Sequence, residues 1–310
     1  LDLIPEVKTE RVITTGGHYA FLKIAEGCDK HCTYCIIPSL RGNFRSVPME
    51  RLVSEAQSLA DQGVKELILV AQETTLYGVD LYGKKSLPEL LKRLCRISGL
   101  QWIRIQYCYP EEITDELIET IKTEEKVCHY LDMPIQHASD TILRRMGRRT
   151  SREQLKEIVG KLRSEIPDIA IRTTLISGFP GETEEDFLET MDVVRKVRFD
   201  SAFTFIYSKR TGTPAAAMEE QIPEAVVKDR FDRLLSEVQK ISAEVCGRDA
   251  HTVKDVLVED LDDHVEGFVT GRLDNNTTVH FKGDASLIGQ IVDVYLDESK
   301  GFYYMGEIVK

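Results

Sequence analysis

Strand-like and helix-like stretches alternate along most of the chain, and this alternation constrains the fold more than any other feature of the sequence. Six short stretches are apolar and rich in β-branched or aromatic residues: 19–25, 66–72, 102–107, 130–135, 169–176 and 201–207. Such runs are typical of strands buried on both faces, and helical stretches lie between them. Alternating strands and helices predict a parallel α/β sheet. Because six repeats are fewer than the eight of a closed barrel, we expect a partial barrel, with a doubly wound open sheet as the alternative.

The pattern changes near residue 247. Residues 223–247 form a long amphipathic stretch that predicts one helix, and residues 248–310 contain short alternating strands broken by glycines and by "DNN". Closely spaced short strands of this kind are typical of a small all-β barrel. The predicted organisation is a lead-in over 1–18, a partial barrel with a closing helix over 19–246, and a β-barrel domain over 247–310.

Three of the seven cysteines, Cys28, Cys32 and Cys35, are clustered in "EGCDKHCTYCIIPSLRG". The other four are scattered, so the set is not a disulfide framework, and a reducing cytoplasm suits it better. The cluster directly follows the first predicted strand. In a parallel barrel this is the carboxyl edge, where active sites gather.

The spacing C-x3-C-x2-C favours an iron–sulfur cluster over the alternatives. A structural zinc site completed by His31 or another histidine is one alternative, but zinc sites usually show a second pair of cysteines, and none is present. Incidental thiols are another, although a polar loop offers no core in which to bury them. A cubane cluster held by three thiolates keeps one iron free of protein, and an open metal position usually binds another molecule.

The segment "CDKHCTYC", with Tyr34 before its last cysteine, resembles the signature of the radical S-adenosylmethionine superfamily. The resemblance implies a 4Fe–4S cluster on Cys28, Cys32 and Cys35, with Tyr34 near the cofactor. It also implies that the free iron binds S-adenosylmethionine. Reductive cleavage of this cofactor gives methionine and a 5′-deoxyadenosyl radical.

Longer segments resemble the methylthiotransferases of that superfamily: "GVKELILVAQETTLYGVD", "LDMPIQHASDTILRRMGRRTS" and "ISGFPGETEEDF", followed by a domain similar to the TRAM module. "IPSLRG", "AQETTLYG" and "PIQHAS" are similar to the RimO-type branch, which modifies the β-carbon of an aspartate in small-subunit ribosomal protein twelve. The MiaB-type branch, which modifies an adenosine of transfer RNA, is the alternative. A non-enzymatic metal-binding module is a further one.

The methylthiotransferase resemblance also implies parts that this sequence lacks. Family members carry an upstream domain with three more cysteines and a second 4Fe–4S cluster, and they need an electron donor. The chain does not begin with methionine. It is therefore expected to be a fragment or a processed form, comprising the catalytic and substrate-recognition part.

Candidate cofactor residues lie at the ends of two predicted strands. Gln72 and Glu73 end the second strand, where the resemblance places a group that holds the amino group of the cofactor; the alternative is a polar strand end in solvent. Gln136 ends the fourth strand and is a further candidate. His137 beside it is interpreted as a surface residue, with substrate contact as the alternative.

Two more candidates belong to the fifth strand and the turn after it. Arg172 interrupts an apolar run, so it needs a partner if buried. That partner is either the methionine carboxylate of the cofactor, in a bidentate contact, or Asp132 of the neighbouring strand. Gly178 in "SGFPGE" would let the backbone approach the adenosine closely, or simply form a tight turn. The basic stretch 143–149 is interpreted as a solvated helix face, or as a contact for a substrate carboxylate.

The net charge of −12 argues against a large electrostatic contact with nucleic acid. Residues 247–310 hold thirteen Asp and Glu against six Lys and Arg, a net charge of −7. Direct nucleic-acid binding by this domain is not expected, and its acidity suits a basic ribosomal protein, although acidity alone also favours solubility. No apolar stretch is long enough to cross a bilayer, so no membrane partner is expected.

Overall fold

The computed structural model describes residues 16–309. The first eight strands are β1 (Tyr19–Lys23), β2 (Ala25–Glu26), β3 (Arg45–Ser46), β4 (Glu66–Val70), β5 (Trp102–Ile105), β6 (Val127–Asp132), β7 (Ala170–Ser177) and β8 (Ser201–Ile206). Six of them form one parallel sheet in the order β1-β4-β5-β6-β7-β8, and β2 pairs with β3 separately. The strand order never reverses as a doubly wound sheet requires. The sheet is therefore the predicted partial barrel.

The helices lie between these strands. They are α1 (Ile37–Arg41), α2 (Met49–Asp61), α3 (Val79–Tyr82), α4 (Leu87–Cys95), α5 (Asp115–Thr123), α6 (Asp140–Arg145), α7 (Arg152–Glu165), α8 (Glu184–Val197) and α9 (Glu224–Cys246). The start of α8 follows from two side chains. The Thr183 hydroxyl accepts the Asp186 N–H at 3.2 Å, and the Asp186 carboxylate accepts the Thr183 N–H at 2.9 Å. Together these two hydrogen bonds form a capping box.

Alternate side chains of the sheet point to its two faces. One face packs against the helices and forms the main hydrophobic core, which includes Leu22, Leu67, Ile103, Leu131 and Ile171. The other face is the inside of the partial barrel. At the amino ends of the strands this inner face is covered by the terminal domain, where Trp102, Cys128, Tyr130 and Ala170 pack with Leu257.

The terminal domain is a closed five-stranded barrel, as predicted. Its strands are β9 (Val253–Leu261), β10 (Phe268–Arg272), β11 (Thr278–Lys282), β12 (Ile291–Ser299) and β13 (Tyr303–Ile308), in the order β10-β11-β13-β12-β9. Its own core includes Val256, Val258, Phe281 and Leu296. The predicted domain limits at residues 19, 246 and 247 stay a prediction, and most of the predicted lead-in over 1–18 lies outside the described residues.

A buried ion network joins the two parts of the protein. Glu66, the first residue of β4, contacts Arg104 Nε of β5 at 2.6 Å and Arg272 Nη2 of the terminal barrel at 2.8 Å. Arg104 Nη2 also donates to the Leu273 carbonyl at 3.3 Å. Because these contacts lie at the amino ends of the strands, the carboxyl edge of the sheet stays uncovered by the terminal barrel. Within residues 16–309, no helix is long and apolar enough to cross a membrane.

Candidate functional site

The three clustered cysteines lie in the loop that follows β2 at the carboxyl edge of the sheet. All are free thiols; Cys28 and Cys32 are buried and Cys35 is half-buried. Burial, with smaller contributions from Cys32, Glu73 and Cys35, raises the pKa of Cys28 to about 11. Because thiolates are the metal ligands, a metal or cluster that binds here must displace protons.

Gly27 and Gln72 fix the start of this loop. Gly27 has a φ of +84°, and a Cβ atom there would lie 2.0 Å from the Asn43 carbonyl oxygen. The Gly27 N–H donates to Gln72 Oε1 at 2.8 Å. The structure thus places Gln72, predicted as a cofactor ligand, in contact with the backbone of the cysteine loop. Its predicted contact with the cofactor stays a prediction.

The middle of the loop is held by the end of α6. The Thr33 N–H donates to the Met146 carbonyl at 2.9 Å, and the Thr33 hydroxyl donates to the Arg145 carbonyl at 2.8 Å. Tyr34 packs against an apolar cluster that includes Met146 and Phe179. This packing accounts for an aromatic side chain at residue 34, and its contact with the cofactor stays a prediction.

Tyr109 is a residue of this site that the sequence does not indicate, and Arg148 belongs to the basic stretch 143–149. The Arg148 guanidinium lies 4.1 Å from the centroid of the Tyr109 ring, and the Tyr109 hydroxyl lies 3.8 Å from Cys32 Sγ. The interpretation of 143–149 as a solvated face is wrong for Arg148, which is buried because it stacks on this ring. The only signal for Tyr109 was its position just after the third strand of the sheet.

Glu73 is fully buried, so the interpretation as a solvated strand end is wrong for this residue. Its Oε1 accepts the Thr75 N–H at 2.9 Å, while Oε2 has no hydrogen-bond partner in the described part of the chain. Burial raises the pKa of Glu73 to about 7, against the opposing effect of Thr75 and Lys30. An unpartnered buried carboxylate oxygen at this edge can accept a hydrogen bond from a cationic ligand group.

Gln136 lies at the same edge in a strained conformation. Its φ is +70°, in the left-handed region, and its backbone N–H donates to the Thr174 carbonyl at 2.8 Å. The side-chain oxygen is buried and has no hydrogen-bond partner within residues 16–309. Backbone strain together with an unpartnered buried amide is typical of ligand sites.

His137 is not the surface residue that the sequence suggested. Its side chain is 1% exposed. Nδ1 accepts the Ser139 N–H at 3.0 Å and lies 3.1 Å from the Thr190 hydroxyl, while Nε2 lies 3.3 Å from a Glu182 oxygen. The imidazole is buried because it fills the space between the loop after β6 and the amino end of α8. These contacts give His137 a structural role: it holds the loop after β6 against α8 at the carboxyl edge of the sheet.

Arg172 forms an ion pair with Asp132, one of the two partners that the sequence suggests for it. Its Nε lies 3.1 Å from Asp132 Oδ1, on the inner face of the sheet. The guanidinium also lies 4.8 Å from the centroid of the Phe203 ring and 5.7 Å from that of Tyr130. Its predicted contact with the cofactor carboxylate stays a prediction.

Gly178 forms a turn that only glycine can adopt. Its φ is +80°, and a Cβ atom would lie 2.6 Å from a methyl group of Val227 in α9. The Gly178 N–H donates to Glu182 Oε2 at 3.0 Å, which holds the turn in place. The turn lies at the carboxyl end of β7, beside the strand that leads to Gln136.

Sequence comparison agrees with this geometry. Residues 22–194 match the Radical SAM superfamily and residues 251–309 match the TRAM domain. The ribosomal protein uS12 methylthiotransferase RimO of Lachnoclostridium phytofermentans is 56% identical over 318 residues, covering 99% of this chain and 71% of that protein. The chain belongs to the RimO family. The RimO protein of Geobacter sulfurreducens is 45% identical, over 96% of this chain and 68% of its own length.

More distant similarities are consistent with RimO membership. A tRNA-2-methylthio-N(6)-dimethylallyladenosine synthase of Lachnoclostridium phytofermentans is 44% identical, over 94% of this chain and 64% of that protein. Among solved structures, coproporphyrinogen III oxidase (HemN) of Escherichia coli has a TM-score of 0.55 at 18% identity, covering 72% of this chain and 53% of that chain. The methyltransferase TsrM of Kitasatospora setae has a TM-score of 0.54 at 18% identity, covering 64% and 38%. These two structures support the fold alone.

Membership of the radical SAM superfamily implies a 4Fe–4S cluster and S-adenosylmethionine. The residues at the carboxyl edge fit both groups, because they supply three neighbouring free thiols and two unpartnered buried oxygen atoms, Glu73 Oε2 and Gln136 Oε1. In the described chain, no group of three or more His, Cys, Asp or Glu side chains is arranged to hold a metal ion. In a cubane, however, each cysteine binds a different iron, so the ligands surround the cluster rather than meet at one ion.

Proposed function

We propose that this chain is the catalytic and substrate-recognition part of a RimO-type methylthiotransferase. Its substrate is small-subunit ribosomal protein uS12, in which a methylthio group is added to the β-carbon of an aspartate. The observation that carries the proposal is the placement of Cys28, Cys32 and Cys35 in one loop at the carboxyl edge of a six-stranded parallel sheet, with the buried Glu73 after β4 at the same edge. Identity of 56% to a RimO protein supports the same activity.

Cys28, Cys32 and Cys35 would hold the 4Fe–4S cluster through their thiolates. Together with S-adenosylmethionine, this cluster supplies the one-electron chemistry that removes hydrogen from the aspartate β-carbon, and a second S-adenosylmethionine supplies the methyl group. Gly27 keeps the cysteine loop close to the Asn43 backbone, and Gln72 fixes its first N–H. The protein thus presents three thiols from one short, well-anchored loop.

The cofactor would be held by side chains on or just after the strands β4, β6 and β7. Glu73 Oε2 and Gln136 Oε1 would accept hydrogen bonds from its ammonium group, because both are buried acceptors without a partner in residues 16–309. Arg172 would bind its carboxylate through the terminal guanidinium nitrogens, since the Asp132 contact uses Nε. Gly178 would let the backbone approach the adenosine, and Tyr34 would close the site beside the last cysteine.

The surface of the terminal barrel supports a basic protein substrate. Its exposed acidic side chains are Asp255, Asp260, Asp263, Glu266, Asp284, Asp293, Asp297, Glu298 and Glu307. Arg272 is mostly buried, and its guanidinium is bound by the carboxylates of Glu66 and Glu259. An acidic surface attracts a basic ribosomal protein and repels phosphate.

Transfer RNA remains the second candidate substrate, because a transfer RNA modifying synthase is 44% identical over 94% of the chain. Mass spectrometry of uS12 peptide and of transfer RNA, each incubated with the full-length enzyme, tests the choice. We expect a methylthio group on the aspartate of the peptide. Modified adenosine with unmodified peptide would overturn the proposed substrate.

The complete activity needs parts beyond this chain. We propose that a second 4Fe–4S cluster is bound by cysteines outside these 310 residues, and that a one-electron donor of the cytoplasm reduces the cluster. Reconstituted with iron and sulfide under a reductant, this chain alone should cleave S-adenosylmethionine and transfer no methylthio group. A methylthiolated peptide formed by this chain alone would contradict that proposal.

A further inference from the structure

Arg148 carries a buried positive charge that forms no ion pair within residues 16–309. Its side chain is 6% exposed, and Nη2 donates to the Pro134 carbonyl at 2.9 Å. Nε and Nη1 are buried without a hydrogen-bond partner in the described chain. A buried guanidinium with unpartnered N–H groups is costly unless a negative group compensates it.

The nearby carboxylates are already bound by other groups. Lys30 contacts Glu111 at 3.4 Å and also pairs with Glu112, and Lys85 contacts Glu112 at 2.8 Å. The Thr150 hydroxyl donates to the other oxygen of Glu111. Glu111 and Glu112 are thus each bound to a lysine, and no carboxylate forms an ion pair with Arg148 in the described part of the chain.

Tyr109 connects this charge to the cysteine loop. Its ring lies under the guanidinium, with 4.1 Å from Arg148 Cζ to the ring centroid, and its hydroxyl lies 3.8 Å from Cys32 Sγ. The segment that carries Arg148 is bonded to the same loop, because the Met146 carbonyl accepts the Thr33 N–H at 2.9 Å. The Tyr109 ring therefore lies between the buried Arg148 guanidinium and the Cys32 sulfur, a predicted cluster ligand.

We propose that Arg148, together with Tyr109, raises the reduction potential of the cluster held by the three cysteines. This inference rests on the proposed function. Three thiolates on an oxidised cubane give a net charge of about −1, and one electron taken from a reductant makes it about −2. The charge of Arg148 stabilises the more negative state more strongly. The Tyr109 hydroxyl acts in the same direction, because a hydrogen bond to a ligand sulfur withdraws charge from the cluster.

The test is a redox titration of the reconstituted chain with dithionite, followed by electron paramagnetic resonance. R148Q removes the positive charge, and Y109F removes only the hydroxyl group. R148K keeps the charge but replaces the planar guanidinium, which stacks on the Tyr109 ring, with an ammonium group that cannot stack. R149Q is the matched control, because it removes a neighbouring charge that is exposed and screened by solvent. All variants are compared at equal iron content.

We expect R148Q to shift the midpoint potential to a more negative value. Y109F and R148K should shift it by less, and R149Q should leave it unchanged. Equal potentials for wild type, R148Q and Y109F would overturn the inference while leaving the proposed function intact. If R148Q takes up no cluster, the midpoint potentials of R148K and Y109F are compared with that of the wild type instead. Potentials equal to the wild-type value would then overturn the inference. A wild-type chain that binds no such cluster would overturn the proposed function and the inference together.

Discussion

Glu66 in the sheet and Arg272 in the terminal barrel form a buried ion pair, with 2.8 Å between Glu66 Oε2 and Arg272 Nη2. Arg104 contacts the other oxygen of Glu66 at 2.6 Å, so one carboxylate holds two guanidinium groups. The contact joins the amino end of the partial barrel to the TRAM domain. It orients the acidic domain without covering the cysteine loop at the opposite edge.

E66Q should lower the free energy of unfolding by roughly 3–5 kcal/mol, because it leaves the fully buried Arg104 guanidinium without its counter-charge and removes one of the two carboxylates that contact Arg272. Urea denaturation of the chain measures this loss. D232N is the control, since Asp232 forms only a surface pair with Lys228 in α9. If E66Q and D232N unfold at the same urea concentration, the network contributes no more to stability than a surface ion pair does.

G27A should abolish most of the iron uptake while the chain stays folded. A Cβ atom at residue 27 would lie 2.0 Å from the Asn43 carbonyl, so the cysteine loop must move. Iron analysis after reconstitution and circular dichroism measure the two effects. G63A is the control, because Gly63 also has a positive φ but no atom within 4 Å of the added Cβ. Iron contents that are equal in the two variants would contradict this account of Gly27.

D255N should raise the free energy of unfolding at pH 7. Partial desolvation and the facing Asp293 raise the pKa of Asp255 from its ordinary value of 3.8. A carboxyl whose pKa is higher in the folded protein than in the unfolded chain binds its proton more tightly when folded. Its ionisation therefore destabilises the folded protein at pH values above the folded-state pKa. At pH values below the unfolded-state pKa the group is protonated in both states and has no effect on stability. The gain at pH 7 should be roughly 0.2–1 kcal/mol and should vanish toward pH 3.

Urea denaturation of D255N and wild type between pH 3 and pH 7, an interval of about four units, measures that dependence. D263N, which alters an exposed residue of the β9–β10 loop, is the control. A D255N variant that is less stable than wild type at pH 7 would show that the facing pair does not repel.

Reversing three acidic charges of the TRAM domain should weaken the binding of uS12 by the enzyme. In the full-length enzyme, D260K, D263K and E266K together should raise KM for uS12 severalfold at low salt and leave kcat nearly unchanged. The reason is that these exposed side chains attract a basic substrate before the chemical step. Initial rates at two salt concentrations measure the effect.

The control for this prediction reverses three exposed charges outside the TRAM domain, E119K, E153K and E157K on helices α5 and α7. It changes the net charge of the protein by the same amount. If KM rises equally in both triple variants, the effect is one of net charge, and the TRAM surface has no special part in recognition.

The fold could be predicted from the sequence because its signals are local. The β7 strand and the Thr183 capping box were both visible as short patterns. The three cysteines were equally visible, because one loop supplies all of them. Local patterns do not show which side chains from different strands contact one another.

Partners distant in sequence explain the residues that were interpreted wrongly. His137 is buried because Thr190 and Glu182 lie about fifty residues further along and still enclose it. Arg148 is buried because it stacks on Tyr109, which follows a different strand. The basic stretch 143–149 and His137 are both predicted to be exposed to solvent, because the local sequence does not show which distant element packs against them.

The most direct test of the central claim is the iron content and colour of the anaerobically reconstituted chain, compared with C32S. We predict about four irons per chain, a brown oxygen-sensitive protein, and cleavage of S-adenosylmethionine by the reduced form, with iron and cleavage both lost in C32S. A colourless wild-type chain that binds one zinc, or a C32S variant that keeps its iron and its cleavage activity, would contradict the account.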